Sequence, residues 1–198
     1  MICTCYNKDL EIAIKPYILS SEMENIHPLA DLGPLRVEDY KIFYDLFTHK
    51  QLVPFIPDQA IPKNHEEAKK EIQYLMKKEW QGNGKYWGIY HNNKLIGTVG
   101  LHTLLAHEKT IEISYELHPD YWGQGIATCA TVYCVEFARV HMLNINKVLA
   151  YTLVDNIGSH RVALKSGFIS AGILKNDCFY HGKLIDRHLF ELTLRNHE

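Results

Sequence analysis

The sequence predicts one α/β domain over residues 1–198, built on a mixed, mostly antiparallel central sheet with helices on both faces. Three observations predict it. Residues 110–117, TIEISYEL, alternate apolar and polar side chains with period two. Residues 126–141, IATCATVYCVEFARVH, switch to a helical period, with Ile126, Ala130, Tyr133, Cys134, Phe137 and Ala138 on one face. Residues 147–154, KVLAYTLV, form a nearly unbroken apolar run. Strand, helix, strand in that order gives a parallel pair with a crossover helix. At 198 residues, 46 % apolar and 22 % charged, the chain fits one domain with one sizeable core.

The elements follow in chain order. Residues 1–35 carry no legible pattern, and Pro16, Pro28 and Pro34 oppose a long helix there. Segment 37–48 has apolar residues at helical spacing, with Glu38 and Asp39 in the first turn where the helix dipole favours acids. Pro54, Pro57 and Pro62 punctuate a loop, and Asn64 is placed to cap a second helix over 65–80. Residues 85–194 carry the clearest pattern. KYWGIY, the turn at 91–94 and LIGTVGLHTL read as a β-hairpin. After the strand at 110–117 and the helix at 126–141, the run at 147–154 reads as a strand buried on both faces. A short helix over 157–166 has Asp155 or Asn156 as N-cap and Gly167 as its left-handed stop. Residues 168–175 and 184–194 make a last strand pair around a turn near His181-Gly182.

Charge and composition exclude several classes. The formal net charge is −2, from 21 basic and 23 acidic residues without a long basic run, which excludes phosphate-backbone binding to nucleic acid. The twelve His are scattered outside any zinc spacing, so no metal is expected. No stretch has the length of a signal peptide or a membrane span, which predicts a cytoplasmic protein without membrane attachment. Five Cys, an odd number, do not form a disulfide framework, and Cys3-x-Cys5 supplies only two ligands for a metal.

The chemistry concentrates at a strand-to-helix junction. Pro119-Asp120-Tyr121-Trp122-Gly123-Gln124-Gly125-Ile126-Ala127 places two glycines one residue apart before a helix. Without Cβ atoms they admit a ligand close to the backbone, and the helix start offers unpaired N–H groups to a pyrophosphate. The same glycines also serve a tight turn. A P-loop is excluded on spacing, and Thr128 stands where a dinucleotide fingerprint has its third glycine. One strand later comes Asn156-Ile-Gly-Ser159, then Lys165-Ser-Gly167-Phe168.

With Tyr115-x-Leu-x-Pro-x-Tyr-Trp-Gly-Gln-Gly-Ile-Ala-Thr128 ahead of these two motifs, segment 115–168 resembles the GNAT acetyltransferase superfamily. More narrowly it resembles the RimJ/RimL branch of ribosomal-protein N-terminal acetyltransferases. The N-terminal third matches only through Leu35-Arg-Val-Glu-Asp39 and a helix. The resemblance implies the GNAT fold and an enzyme that transfers acetyl from acetyl-coenzyme A to an amine. It implies that Trp122, Gly123, Gln124, Gly125, Ile126, Ala127 and Thr128 hold the coenzyme's pyrophosphate. Tyr115, Leu117 and His118 would carry the strand edge that pairs with the pantetheine arm. Trp122 stands where the wider superfamily has Arg or Gln, and Cys129 where the branch often has Glu. Asn156 and Ser159 would meet the pantetheine or its neighbouring backbone.

A thioester is already activated, so such an enzyme positions a neutral amine and stabilises the leaving thiolate. Glu112 and Glu116, with Ser114 between them, share the polar face of strand 110–117. That face lines either a cleft or bulk solvent. Glu112 stands where some members of the superfamily hold the general base, with Glu116 in reserve. The Tyr that protonates the thiolate in many members is replaced by Ala163, which shifts that role to Ser159. Asn156 and Ser159 equally fit a helix cap with no catalytic duty. Cys134 reads as core, against an acyl-cysteine route. His102, His118 and His160 fall near the expected cleft.

An α-amine, with a reference pKa of about 8, is easier to present neutral than a lysine at about 10.4. That favours a protein N-terminus as acceptor. A small-molecule amine and a non-catalytic acyl-coenzyme A-binding module are the alternatives, and the chain is expected as a monomer or homodimer.

Overall fold

The computed structural model describes residues 24–80, 84–142 and 144–194. Cys3-x-Cys5 and the proline at 16 lie outside them. Eight strands form one sheet in the order β1-β2-β3-β4-β5-β6-β8-β7. They are β1 (Glu24–His27), β2 (Ala30–Pro34), β3 (Lys85–His91), β4 (Lys94–Leu105), β5 (Thr110–Leu117), β6 (Lys147–Leu153), β7 (Ile169–Tyr180) and β8 (Lys183–Thr193). Every neighbouring pair is antiparallel except β5–β6, the pair flanking the crossover helix. The helices are α1 (Tyr40–Phe47), α2 (His65–Trp80), α3 (Ile126–His141) and α4 (Ile157–Lys165).

Two apolar clusters cover the two faces of the sheet. One joins α1 and α2 through Phe43, Leu46, Ala68 and Ile72 to Tyr90 and Leu95. The other joins α3 through Ile126, Ala130, Cys134 and Ala138 to Ile111, Ile113, Val148 and Phe190. Those four α3 residues recur every fourth position, the spacing that keeps one helical face on the sheet. The caps are the expected ones. Asn64 Oδ1 accepts from the Glu67 N–H at 2.9 Å, Asn156 Oδ1 from the Ser159 N–H at 3.0 Å, and Gly167 has φ 90°. Asn92 and Asn93, at φ 49° and 62°, make the two-residue turn between β3 and β4.

Three expectations need correction. Segment 37–48 divides into a 3-10 turn, Val37–Asp39, and α1. Strands β1 and β2 were not expected, because four- and five-residue strands containing Gly33 and Pro34 are too short to show a period. Strand β6 is not buried along both faces: only Val148 and Leu149 are buried, and residues 150–153 are half-buried. Its open half lies beyond the last residue paired with β5. At the far edge of the sheet, β7 is largely exposed and its pairing with β8 is broken by two irregularities, at Ser170/Gly172 and at Leu174/Cys178.

Candidate active site

Strands β5 and β6 pair only from Thr110/Lys147 to Glu112/Leu149. Pairing of β5 with β4 continues to Leu117, and pairing of β6 with β8 continues to Leu153. The two central strands therefore splay into a wedge. The His118 N–H donates to Ile96 O at 2.8 Å, so by the two-residue alternation residues 114 and 116 also turn their backbone groups to β4. Tyr115 and Leu117 turn theirs into the wedge, and the first free N–H beyond the last rung is that of Tyr115. The Leu117 carbonyl is already taken by Trp122 Nε1–H at 2.7 Å, and the His118 N–H by Ile96.

Above the wedge lies the glycine turn. His118 Nδ1 accepts from the Asp120 N–H at 3.3 Å and caps the 3-10 turn Pro119–Tyr121. Gly123 and Gly125 adopt φ 74° and 89°, left-handed values that favour glycine. Trp122, Gly123 and Gln124 are exposed, whereas the side chains of Ile126 and Ala127 are buried in the core. Among the described residues, no backbone carbonyl accepts from the N–H groups of residues 123–128; the first taken is that of Cys129, by Gly125 O at 3.0 Å. That leaves six consecutive amides at a helix start without a backbone partner, a surface of the kind that suits an anion. Gln124 reinforces the turn by donating from Nε2 to Asp120 O at 3.0 Å.

The polar residues of β5 face the α1–α2 side. Glu116 Oε2 accepts a 2.7 Å hydrogen bond from the hydroxyl of Thr98, which is 2 % exposed. Burial pushes the Glu116 carboxyl up to about 7, and the Thr98 hydrogen bond opposes the rise. Glu112 is also raised by burial, opposed by the Arg187 guanidinium and a Thr103 hydrogen bond and assisted by Asp177. His102 connects this face: Nε2 lies 3.0 Å from Ser114 Oγ, Nδ1 2.8 Å from Thr103 Oγ1 and 3.8 Å from Glu112 Oε2. Thr103 sits at φ 51° beside a pairing irregularity, a conformation rare for a β-branched residue. Tyr86 stacks on His102 with ring centroids 5.9 Å apart. Its ring lies over Gly100, where an added Cβ would come within 2.2 Å of Cδ1. Gly100→Ala is therefore expected to push Tyr86 off the polar face and lower turnover by roughly ten- to a hundredfold with the melting temperature nearly kept; steady-state rates beside a thermal melt check it.

On the α4 side, Ser159 sits half-buried in the first helical turn. The Tyr115 hydroxyl is buried beside Ser159; burial raises that phenol to about 12, and the Ser159 side chain opposes the rise. His160 is occupied by Leu153 O at 3.0 Å and by ring contact with His188 at 4.9 Å. The glycine turn thus follows directly on the β5 edge, Tyr115 neighbours Ser159 of α4, and Glu112 and Glu116 lie on the α1–α2 side of the sheet. Sequence reasoning missed Thr98 and Tyr86. They lie on other strands, and no local motif marks them. Among the described residues, no three His, Cys, Asp or Glu converge as a metal site.

Comparison with known proteins gives the family. The uncharacterized N-acetyltransferase YoaA of Bacillus subtilis (strain 168) is 30 % identical over 65 % of this chain and 73 % of its own length. The ribosomal-protein-serine acetyltransferase of Escherichia coli (strain K12) is 28 % identical over 65 % of this chain and 71 % of its own. The solved structure of RimL, a ribosomal L7/L12 alpha-N-protein acetyltransferase in complex with coenzyme A, aligns at TM-score 0.77 and 20 % identity over 87 % of this chain and 98 % of that one. Residues 31–169 match the acetyltransferase (GNAT) domain, well over half of the sequence, and the chain belongs to the GNAT family of N-acetyltransferases.

Proposed function

We propose that the protein transfers the acetyl group of acetyl-coenzyme A to the α-amine of a protein N-terminus by direct attack. The observation that carries this is the junction of two unpaired backbone surfaces: the amides of residues 123–128 and the β5 edge below them. A pyrophosphate on the first leaves the pantetheine arm to run down the second, which ends at the Tyr115 N–H. That N–H then meets the thioester carbonyl and stabilises the oxyanion as the amine adds. The C–S bond breaks, and the thiolate leaves on the α4 side, where Ser159 donates its proton. Asn156 holds that first turn in place through its cap.

The amine must lose a proton. Sequence reasoning put Glu112 first for this and Glu116 second. We favour the reverse order. Glu116 is one residue from Tyr115, whereas Glu112 is three away, about 10 Å along a strand. A carboxyl near 7 is also matched to neutral pH. Glu112, with His102 and Ser114, then lies along the proton's way out. The α-amine is favoured because its reference pKa of about 8 leaves roughly a tenth of it neutral at pH 7. RimL, an alpha-N-protein acetyltransferase, and the E. coli ribosomal-protein-serine acetyltransferase support a protein acceptor.

Release of free thiol from acetyl-coenzyme A, measured across N-terminal peptides, lysine-only peptides and small amines, tests the reading. Release with N-terminal peptides is expected. Release only with small amines moves the acceptor class, and tight coenzyme binding without release from any amine leaves a binding module. Ser159→Ala is expected to lower kcat by roughly ten- to a thousandfold with little change in coenzyme affinity; unchanged turnover would remove Ser159 from the reaction.

A further inference from the structure

We propose that Trp122 is a positioning residue that ties the glycine turn to the β5 edge, so that one coenzyme can span both surfaces. The hydrogen bonds around the turn carry this. The Tyr121 N–H donates to His118 O at 2.9 Å, the Trp122 N–H to Pro119 O at 3.0 Å and Gln124 Nε2 to Asp120 O at 3.0 Å. These three fold residues 118–124 onto themselves. The indole Nε1–H of Trp122 reaches further back, to Leu117 O at 2.7 Å. Among the described residues it is the one hydrogen bond from 119–125 that ends on β5.

Packing does not supply that tie. Tyr121 packs on the core and Ile126 is buried in it, but the chain between them stands out in solvent. Trp122 is 42 % exposed, and an added Cβ at Gly123 would meet nothing within 4 Å. An indole has one donor and no acceptor. Trp122 spends that donor and its backbone N–H inside the protein, so it offers neither to a phosphate. Its contribution is a fixed separation. A ligand held at two places gains from the linkage only while their spacing matches its own span. Here the two places are the amides from residue 123 onward and the Tyr115 N–H, and the turn that Trp122 braces lies between them.

That the spanning ligand is coenzyme A rests on the transfer reading above. The probes are coenzyme A, ADP, which carries a diphosphate without the arm, and pantetheine, which carries the arm without phosphates. Each is titrated into the full chain, unaltered and as Trp122→Phe, which keeps an aromatic ring and removes the N–H. Calorimetry follows coenzyme A, and NMR follows the two weaker fragments. The variant should bind coenzyme A roughly three- to tenfold more weakly, the weight of one hydrogen bond, while ADP and pantetheine keep their affinities. A merely structural defect would weaken ADP too, because the amides that hold it would lose their order. Unchanged coenzyme A affinity, or a parallel loss for ADP, overturns the brace and leaves the transfer reading standing. Failure of the unaltered protein to bind coenzyme A sinks the transfer reading and the brace with it. A second measurement needs no variant to fold. In the unaltered protein without ligand, the Trp122 indole N–H should exchange with solvent deuterium at least about tenfold more slowly than that of free tryptophan; exchange as fast as the free amino acid would overturn the brace by itself.

Discussion

Glu116→Gln is expected to lower kcat/KM by about 10²–10⁴-fold, the usual contribution of a positioned base. In the unaltered protein, activity should rise with pH through about 7, as the buried carboxyl ionises, and the variant should lose that limb. The same substitution should stabilise the fold. The carboxyl is raised above its ordinary value of 4.5, so below about 4.5 it is protonated in both folded and unfolded chains and contributes nothing. Between 4.5 and 7 only the folded chain keeps the proton, and stability falls as pH rises. Above 7 the folded protein bears the full penalty, at most about 3 kcal/mol. Thermal melts at pH 5 and pH 8 would show the variant gaining mainly at pH 8. A variant that loses stability at pH 8, or keeps its activity, removes Glu116 from the centre of the reaction. Glu112→Gln, run beside it, separates the two carboxylates: a larger loss there would return the base to Glu112.

Gly125→Ala should strike the coenzyme rather than the chemistry. Gly125 is the N-cap of α3 at φ 89°, and an alanine there costs about 1–2 kcal/mol of backbone strain. Relief of that strain turns the first amides of the helix away from a common centre. Hydrogen bonds to a charged group contribute about 1.5–3 kcal/mol, so loss of one weakens coenzyme A binding by roughly 10- to 100-fold. Calorimetric titration with coenzyme A measures it. The affinity should stay salt-sensitive in the parent and become less so in the variant. Unchanged affinity would mean that the diphosphate does not lie on these amides.

Much of this architecture was legible because short-range rules and long-range packing agreed. Period two at 110–117 and period 3.6 at 126–141 each name an element whose apolar face largely turns to the core, and the Asn156/Gly167 brackets name a helix that forms between them. Burial along β6 was misjudged for a physical reason. An apolar run shows that side chains avoid water, but not whether a neighbouring strand or a pantetheine arm covers them. The carboxylates showed a similar limit. Alternation placed Glu112 and Glu116 on one face, yet their difference comes from Thr98 on β4 and from His102 with Thr103, which only the register of β4 against β5 brings alongside.

The far margin of the sheet carries a consequence for solubility. Strand β7 has twelve residues, with Ile169 and Ile173 open to water, a combination that invites another chain to add itself. The two interruptions cut that template into pieces. At the second, Asn176 turns to φ 50°, and the charges of Lys175 and Asp177 are pinned by Asp186 and Arg187 across the hairpin. An intruding strand can hold register for only a few residues before it meets a kink flanked by fixed charge. Straightening that kink by deletion of Asn176 would lay down a long, flat, sticky ribbon, and aggregation on concentration would be its mark.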